Sequence, residues 1–409
     1  MNKFFKMFVF CIASLFAFNA MADDMSDLQD AMKDLQDRID DLEDSAEASG
    51  TAGWWTKTAV GGYGELHYNN KAGAGTIDFH RYVLFINHRF NDSVAMNSEF
   101  ELEHSIAGEG KVGEVELEQA YLDHNWGEYG MPNTNMKYGL FLIPCGITNE
   151  IHEPPTFYGV ERNVVEKEIC SNTRWEGGFQ AVHVIPDMDL TIIAGVHSSL
   201  TTTEGDIRAG RDKVGSATMN KEAYSGAVRY TGAYPGLELG FSWDYEPDMN
   251  EGQKGEQVTG KMYAVHANYM PSRGFGTRAF YGQWNLDCPP DNLTSNSCAT
   301  NGRNHQWGWY AEGSYRFDIG DGDQSLGFMV RRQEWDDKAG TKNATTTKNN
   351  ITMTTFGVNW WLTDSAVLKA DWERKKTFGS TAVQGFNMGM GYNLSLIHIS
   401  EPTRLRRIS

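Results

Sequence analysis

The amino-acid sequence predicts an all-β protein: a 16-stranded antiparallel transmembrane β-barrel with an inward constriction loop, preceded by a short N-terminal α-helical coiled coil. Segments of about ten residues alternate apolar and polar side chains along most of the chain. Short connections between these segments alternate with long ones, and tryptophans stand near many segment ends. This combination is typical of membrane barrels, in which every second residue faces lipid.

The first segment, residues 1–22, has the composition of a secretory signal. Two lysines precede a short apolar run, and the stretch ends in an A-x-A site, Ala20-Met21-Ala22. The apolar run is shorter than the ~20 residues that a membrane-spanning helix needs. We therefore expect export, with cleavage before Asp23.

Residues 23–48 predict a coiled-coil helix in the periplasm, and residues 49–58 a linker. Apolar residues recur at alternating spacings of three and four, which is the a/d seam of a heptad repeat. So short a helix is marginal alone, but a trimer of barrels would bring three copies together. A single amphipathic helix lying on its own domain is the alternative. The predicted seam is Met25, Leu28, Met32, Leu35, Ile39 and Leu42.

The period changes to two from residue 59, and the barrel is predicted to span residues 59–393. In "TTFGVNWWL", for example, Phe356 and Trp360 alternate with Thr355 and Asn359. A barrel of sixteen strands is wide enough to leave an aqueous channel. A soluble β-sandwich is the alternative, because its strands also alternate. The predicted segments lie near 59–69, 76–90, 93–105, 112–126, 134–144, 174–186, 188–199, 222–232, 236–246, 258–271, 274–287, 307–318, 324–335, 351–363, 365–375 and 382–393.

The last segment, residues 394–409, begins "LSLIHISEPTR". This text resembles one reading frame of a transposase adapter used in sequencing libraries. We expect the segment not to be native, and we exclude it from the fold prediction.

Charge and cysteine content narrow the partners. The formal net charge is −18, which argues against nucleic acid, since phosphate contacts need basic surface. Cys288 and Cys298 bracket a loop rich in Pro, Asn and Ser and are the first disulfide candidates; Cys145 and Cys170 bracket another loop. No C-x-x-C, C-x-x-C-H or nearby histidine pair occurs, so we expect no metal and no cofactor.

The stretch from Lys137 to Phe179 is the most distinctive. After a strand that ends at Pro144, about thirty residues lack alternation, and insertions of this length are usually functional. In a wide barrel we expect the insertion to fold into the lumen and to set pore diameter and charge. The candidate constriction-loop residues are Glu150, His152, Glu153, Phe157, Tyr158, Glu161, Arg162, Glu166, Lys167, Glu168 and Arg174.

The pore-lining residues are predicted from strand alternation and are mostly acidic, which predicts a weak preference for cations. Arg81 and Arg89, with Arg229, Arg278 and Arg331, are candidates for an opposing basic wall. For each arginine a salt bridge to a neighbouring strand is the alternative, and one bulge would reverse an assignment. The candidates are Glu65, Arg81, Arg89, Asn97, Glu99, Glu101, Glu103, Glu116, Glu118, Lys369, Asp371 and Glu373.

The text "YGLFLIPCGITNE" resembles the strand-to-loop signature of the phosphate-selective porin O/P family, in which a Gly-x-Phe-x-x-Pro strand precedes the inward loop. "ITNEIHEPPTFYGVERNVVEKEI", "GGYGELHYN" and "GEVELEQAY" are similar to a general porin branch of that family in gammaproteobacteria. The resemblance implies a homotrimeric channel in the Gram-negative outer membrane, surrounded by lipid and lipopolysaccharide. Leu140 and Leu142 stand where phosphate-selective members carry bases, which argues against phosphate selectivity.

Enzyme motifs are absent from the sequence: there is no H-E-x-x-H and no G-x-S-x-G. The sequence therefore predicts a porin, a water-filled channel for passive diffusion of small hydrophilic solutes or ions. One alternative is a porin selective for phosphate or other anions. The other is a structural or scaffold barrel that tethers the envelope or sheathes a redox partner.

Overall fold

The computed structural model describes residues 57–202, 204–250, 257–288, 298–320, 322–340 and 349–398. Within these ranges sixteen strands form one closed antiparallel barrel, in which consecutive strands pair and β1 pairs with β16. The predicted barrel is confirmed, and a β-sandwich is excluded. The predicted signal and coiled-coil seam lie outside the described residues.

Most strands match their predicted segments to within a few residues. The final strand runs to His398 and so enters the segment that resembles adapter text. The strands are β1 (Thr58–Lys71), β2 (Ala74–Arg89), β3 (Val94–Glu103), β4 (Val115–Asn125), β5 (Thr134–Leu142), β6 (Trp175–Ile185), β7 (Leu190–His197), β8 (Ala223–Tyr230), β9 (Leu237–Glu246), β10 (Thr259–Tyr269), β11 (Gly274–Asp287), β12 (His305–Asp318), β13 (Ser325–Asp336), β14 (Ile351–Thr363), β15 (Ala366–Thr377) and β16 (Val383–His398). An α-helix, α1 (Val164–Ile169), lies between β5 and β6.

The outer surface of the barrel is apolar and the inner surface is polar. In β14, Phe356 is 52% exposed, whereas Asn359, three residues on, is fully buried inside. A soluble barrel shows the opposite arrangement, so this surface suits a barrel embedded in lipid. No helix among the described residues is long and apolar enough to cross a membrane.

Most connections alternate in length, as predicted; the two-residue link between β1 and β2, at the long-loop end, is an exception. Residues 90–93 and 364–365 make short turns at one end, whereas residues 143–174 and 198–222 make long loops at the other. The β3–β4 pairing shifts register beside Glu99. Through this bulge Glu118 and Gln119, although consecutive, both contact groups inside the barrel, since a bulge breaks strict alternation.

Candidate functional site

Residues 143–174, the constriction loop, connect β5 to β6 and cross the interior of the barrel. The amide N–H of Val160 donates to Asp371 Oδ2 on β15 at 2.6 Å, and Asn359 Nδ2 on β14 donates to the Phe157 carbonyl at 3.2 Å. These strands are far from β5 in the barrel order. The loop therefore narrows the lumen, as the sequence predicts.

A buried carboxylate organises the loop. Glu166 is fully buried, and its Oε2 accepts from the amides of Ile147 and Thr148, each at 2.7 Å, while Oε1 accepts from the Tyr310 hydroxyl at 2.7 Å. Asn163 caps α1 by accepting from the Glu166 amide at 2.8 Å. One side chain thus ties the start of the loop, its helix and β12 together.

Two disulfides close loops at this end of the barrel. Cys145 and Cys170 are bonded, with Cα atoms 5.6 Å apart, and so join the two ends of the constriction loop. Cys288 and Cys298 are bonded with Cα atoms 5.9 Å apart and close the loop between β11 and β12. The constriction loop is held covalently at its base.

Three arginines of the predicted basic wall lie beneath the constriction loop and donate to its carbonyls. Arg331 Nη2 donates to Tyr158 O at 2.7 Å, Arg81 Nη2 to His152 O at 3.0 Å, and Arg278 Nη2 to Thr156 O at 3.1 Å. Each is at most 4% exposed.

Two of these three arginines also pair with a carboxylate on a neighbouring strand, as the alternative predicted. Arg331 Nε donates to Glu312 Oε2 at 2.7 Å and Arg81 Nε to Glu65 Oε1 at 2.6 Å. The charges of these two arginines are therefore neutralised on the wall and serve to anchor the loop.

Most predicted pore-lining acids are also covered. Glu99, at 2% exposure, accepts from the Tyr63 hydroxyl at 3.0 Å and from Gln119 at 2.7 Å, and His152 Nε2 of the loop lies 3.4 Å away. Glu118 accepts from Thr173 at 2.8 Å. The covered members of the predicted set are Glu65, Arg81, Glu99, Glu101, Glu118, Lys369, Asp371 and Glu373; Asn97, Glu103 and Glu116 are half-buried, and Arg89 is exposed.

The other predicted loop residues divide into anchors and water-accessible groups. Phe157 lies under the Lys369 ammonium, 3.5 Å from ring centroid to Nζ, and Tyr158 packs edge-on against Trp361. Arg174 is buried among three carboxylates of β6 and β9. The half-buried or exposed loop residues are Glu150, Glu153, Glu161, Arg162, Lys167 and Glu168.

A second long connection, residues 198–222, also reaches the constriction loop, and the sequence did not single it out as a site. Arg211 Nη1 donates to Thr173 O at 2.7 Å, and Arg208 donates to the Asn172 carbonyl. Its only sequence signal was its length. Two inward segments therefore meet near the constriction.

Four bases gather where these segments meet, and we name them the basic cluster: Arg162, Lys167, Arg208 and Arg211. Burial and the neighbouring Arg211 guanidinium lower the pKa of Arg208 to about 10, and burial followed by Arg208 lowers the pKa of Lys167. Glu168 lies near enough to both groups to act in the opposite direction. Within the described ranges, none of the four has a carboxylate oxygen at ion-pair distance, and Arg162 Nη1 is buried without a hydrogen-bond partner.

Comparison with known proteins supports the fold. No protein-family model matches the chain. Over 179 residues, 42% of this chain, it is 35% identical to an uncharacterized protein of Aquifex aeolicus strain VF5. That match covers 39% of the relative, so the chain spans about two fifths of the curated relative it matches.

Among solved structures, the barrel is similar to three outer-membrane proteins. With Salmonella typhi OmpF in complex with daunomycin the TM-score is 0.54, at 12% identity over 82% of this chain and 97% of that one. With the anion-selective porin from Comamonas acidovorans it is 0.52, at 10% identity over 82% and 98%. With the loop L8 deletion mutant of OmpT, an outer membrane protein of Vibrio cholerae, it is 0.50, at 14% identity over 82% and 99%. At these identities the likeness shows the fold.

Proposed function

We propose that the protein is an outer-membrane porin, a water-filled channel for passive diffusion of small hydrophilic solutes or ions. The observation that carries the proposal is the constriction loop, which crosses the inside of a closed barrel whose outer face is apolar. A barrel that only anchored or sheathed something would not need an inward loop held by so many wall side chains. The fold likeness to porins supports the same conclusion.

A preference for anions is the second candidate, and the basic cluster favours it over the weak cation preference that the acids of the sequence predict. Glu99, Glu101 and Glu118 lie beneath the loop at 1–2% exposure, so solvent cannot reach them freely. Fixed charge in a pore attracts ions of the opposite sign. Of the four half-buried acids on the constriction loop, Glu150 pairs with Arg229 and Glu161 with His67, which leaves Glu153 and Glu168 against the four bases of the basic cluster. We infer that anions are favoured at the constriction.

The resemblance to the phosphate-selective porin O/P family, the homotrimer and the periplasmic coiled coil stay predictions that accompany this proposal. Chemical cross-linking of the detergent-solubilised protein tests the trimer. Deletion of residues 23–48 followed by trimer melting tests the coiled coil, and an unchanged melting profile would count against its role.

Planar-bilayer recording tests both function and selectivity. Under a KCl gradient we expect discrete conductance steps and a reversal potential of the sign that anion flow gives. The double variant R208Q/R211Q should move the reversal potential toward cation preference, because two positive charges leave the constriction. R332Q is the matched control, since Arg332 lies on the exposed face of β13 and bonds to Thr354.

Two results would contradict these proposals separately. A purified barrel without conductance would favour the scaffold alternative. A clear cation preference that R208Q/R211Q leaves unchanged would exclude the basic cluster as the selective element while keeping the channel.

A further inference from the structure

Two histidines and an aspartate converge near the long-loop end of the barrel. Asp78 and His80 lie in β2, and His104 directly follows β3. His104 Nδ1 is 2.7 Å from Asp78 Oδ2, and His80 Nδ1 is 3.5 Å from the same oxygen. Neither the sequence pattern nor the channel proposal gives these residues a role.

The group faces the lumen. The His80 ring stacks on His67 with centroids 4.8 Å apart, and His67 Nδ1 lies 3.1 Å from Glu161 of the constriction loop. The side chains of His80, His104 and Asp78 are 26%, 31% and 33% exposed. A solute that enters from this end can therefore reach them beside the constriction.

We propose that Asp78, His80 and His104 bind a divalent transition-metal ion of the Zn²⁺ class. Two imidazoles and one carboxylate are a donor set that such ions prefer, and three protein ligands leave a position open for water. Ligands about 2.0–2.2 Å from a tetrahedral ion lie roughly 3.3 Å from one another. The observed separations of 2.7 and 3.5 Å bracket that spacing, and all three ligand atoms lie within 4.8 Å of each other.

The backbone holds the two histidines together across β2 and β3. The His104 amide donates to the His80 carbonyl at 3.1 Å. His104 has φ +55°, a left-handed conformation that is uncommon for a residue with a side chain and that concentrates at binding sites. Because His104 and Asp78 share a proton in their hydrogen bond, metal binding requires that proton to leave and the side chains to rotate toward the ion.

The competing explanation is a hydrogen-bonded His–Asp pair that only closes the strand ends. The two differ in one measurable respect, because the pair alone has no affinity for metal. The proposal goes beyond the channel function and does not rest on it, since metal binding is measured without transport.

Isothermal titration of the full detergent-solubilised chain with ZnCl₂ tests the proposal, and Co²⁺ in place of Zn²⁺ reports coordination through its visible absorption. We expect one saturable site per chain, weakened at least about tenfold by H80Q and by H104Q. H305Q is the matched control, since His305 lies at the same end of the barrel and bonds to Asn285. It should bind as the unchanged chain does.

Absence of saturable binding, or equal affinity in H80Q, H104Q and H305Q, would overturn the proposal. If zinc is held instead by the buried group of Glu99, Glu118 and His152, zinc binding would persist in both H80Q and H104Q. That result would also overturn the proposal. D78N guards against misfolding, because asparagine can still accept the His104 hydrogen bond. Zinc binding by D78N at full affinity, in a barrel that keeps its heat-modifiable migration, counts against the site too.

Discussion

Two parts of the inner wall share the same alternating polar pattern, but their luminal side chains have different roles. On the covered wall, which includes β1–β4 and β11–β15, luminal side chains such as Arg331 and Asp371 are buried and bonded to the constriction loop. On the open wall, Lys137 of β5 and Arg229 of β8 are half-buried and reach the lumen, and Arg229 pairs with Glu150 of the constriction loop. The difference teaches that a luminal position becomes part of the core or part of the channel according to what crosses the barrel in front of it.

The largest expected effect is on the covered wall. R331M leaves the Glu312 carboxylate buried without its partner, and breaking a buried pair in this way costs about 3–5 kcal/mol of the free energy of unfolding. Urea unfolding of the protein in detergent measures the loss. Adding E312L should recover most of it, because both charges are then gone. If R331M alone unfolds at the same urea concentration as the unchanged chain, the anchor role is wrong.

An intermediate effect should come from the loop itself. E166A removes the acceptor shared by two backbone amides and the Tyr310 hydroxyl, at a cost of about 3 kcal/mol for hydrogen bonds to a buried charge. The loop should loosen, so single-channel conductance should rise and limited proteolysis should cut within residues 146–169. E153Q is the control, since Glu153 lies on the same loop but its side chain does not cap the adjacent 3₁₀ turn. Conductance raised equally by both variants would mean that Glu166 is no special anchor.

The smallest effect on stability is expected on the open wall. The carboxylate of Glu150 and the guanidinium of Arg229 are 23% and 20% exposed, and pairs that solvent reaches contribute about 0–1 kcal/mol. E150Q should therefore unfold almost as the unchanged chain does, yet it frees one positive charge and should shift the reversal potential toward anions. Urea unfolding and bilayer recording on the same preparation measure the effects on stability and on ion selectivity separately. A large stability loss in E150Q would erase the distinction between the walls.

The sequence predicted the barrel well because strand alternation is a local property. Sixteen segments, their order and the long insertion after β5 followed from residues close together in the chain. Whether Glu99 or Glu103 meets water did not follow, because both obey the same alternation on β3, yet Glu99 is buried and Glu103 is half-buried. That outcome depends on contacts such as Val160 with Asp371, 211 residues apart.

Two other features of the structure could not be predicted from the sequence, for related reasons. Arg208 and Arg211 lie in a connection without any period, so no pattern indicated that they join Arg162 and Lys167. The group of Asp78, His80 and His104 depends on the pairing of β2 with β3 and on the left-handed conformation of His104. The spacing of residues in the sequence predicts neither.

The wall holds the constriction loop through its main chain. Arg81, Arg278, Arg331, Asn359 and the indole N–H groups of Trp284 and Trp361 all donate to loop carbonyls. Any amino acid supplies a backbone carbonyl, so most side chains of the constriction loop can be substituted without losing these hydrogen bonds. The barrel is therefore a scaffold on which the side chains of the constriction loop can be redesigned while the wall still holds the loop backbone in place.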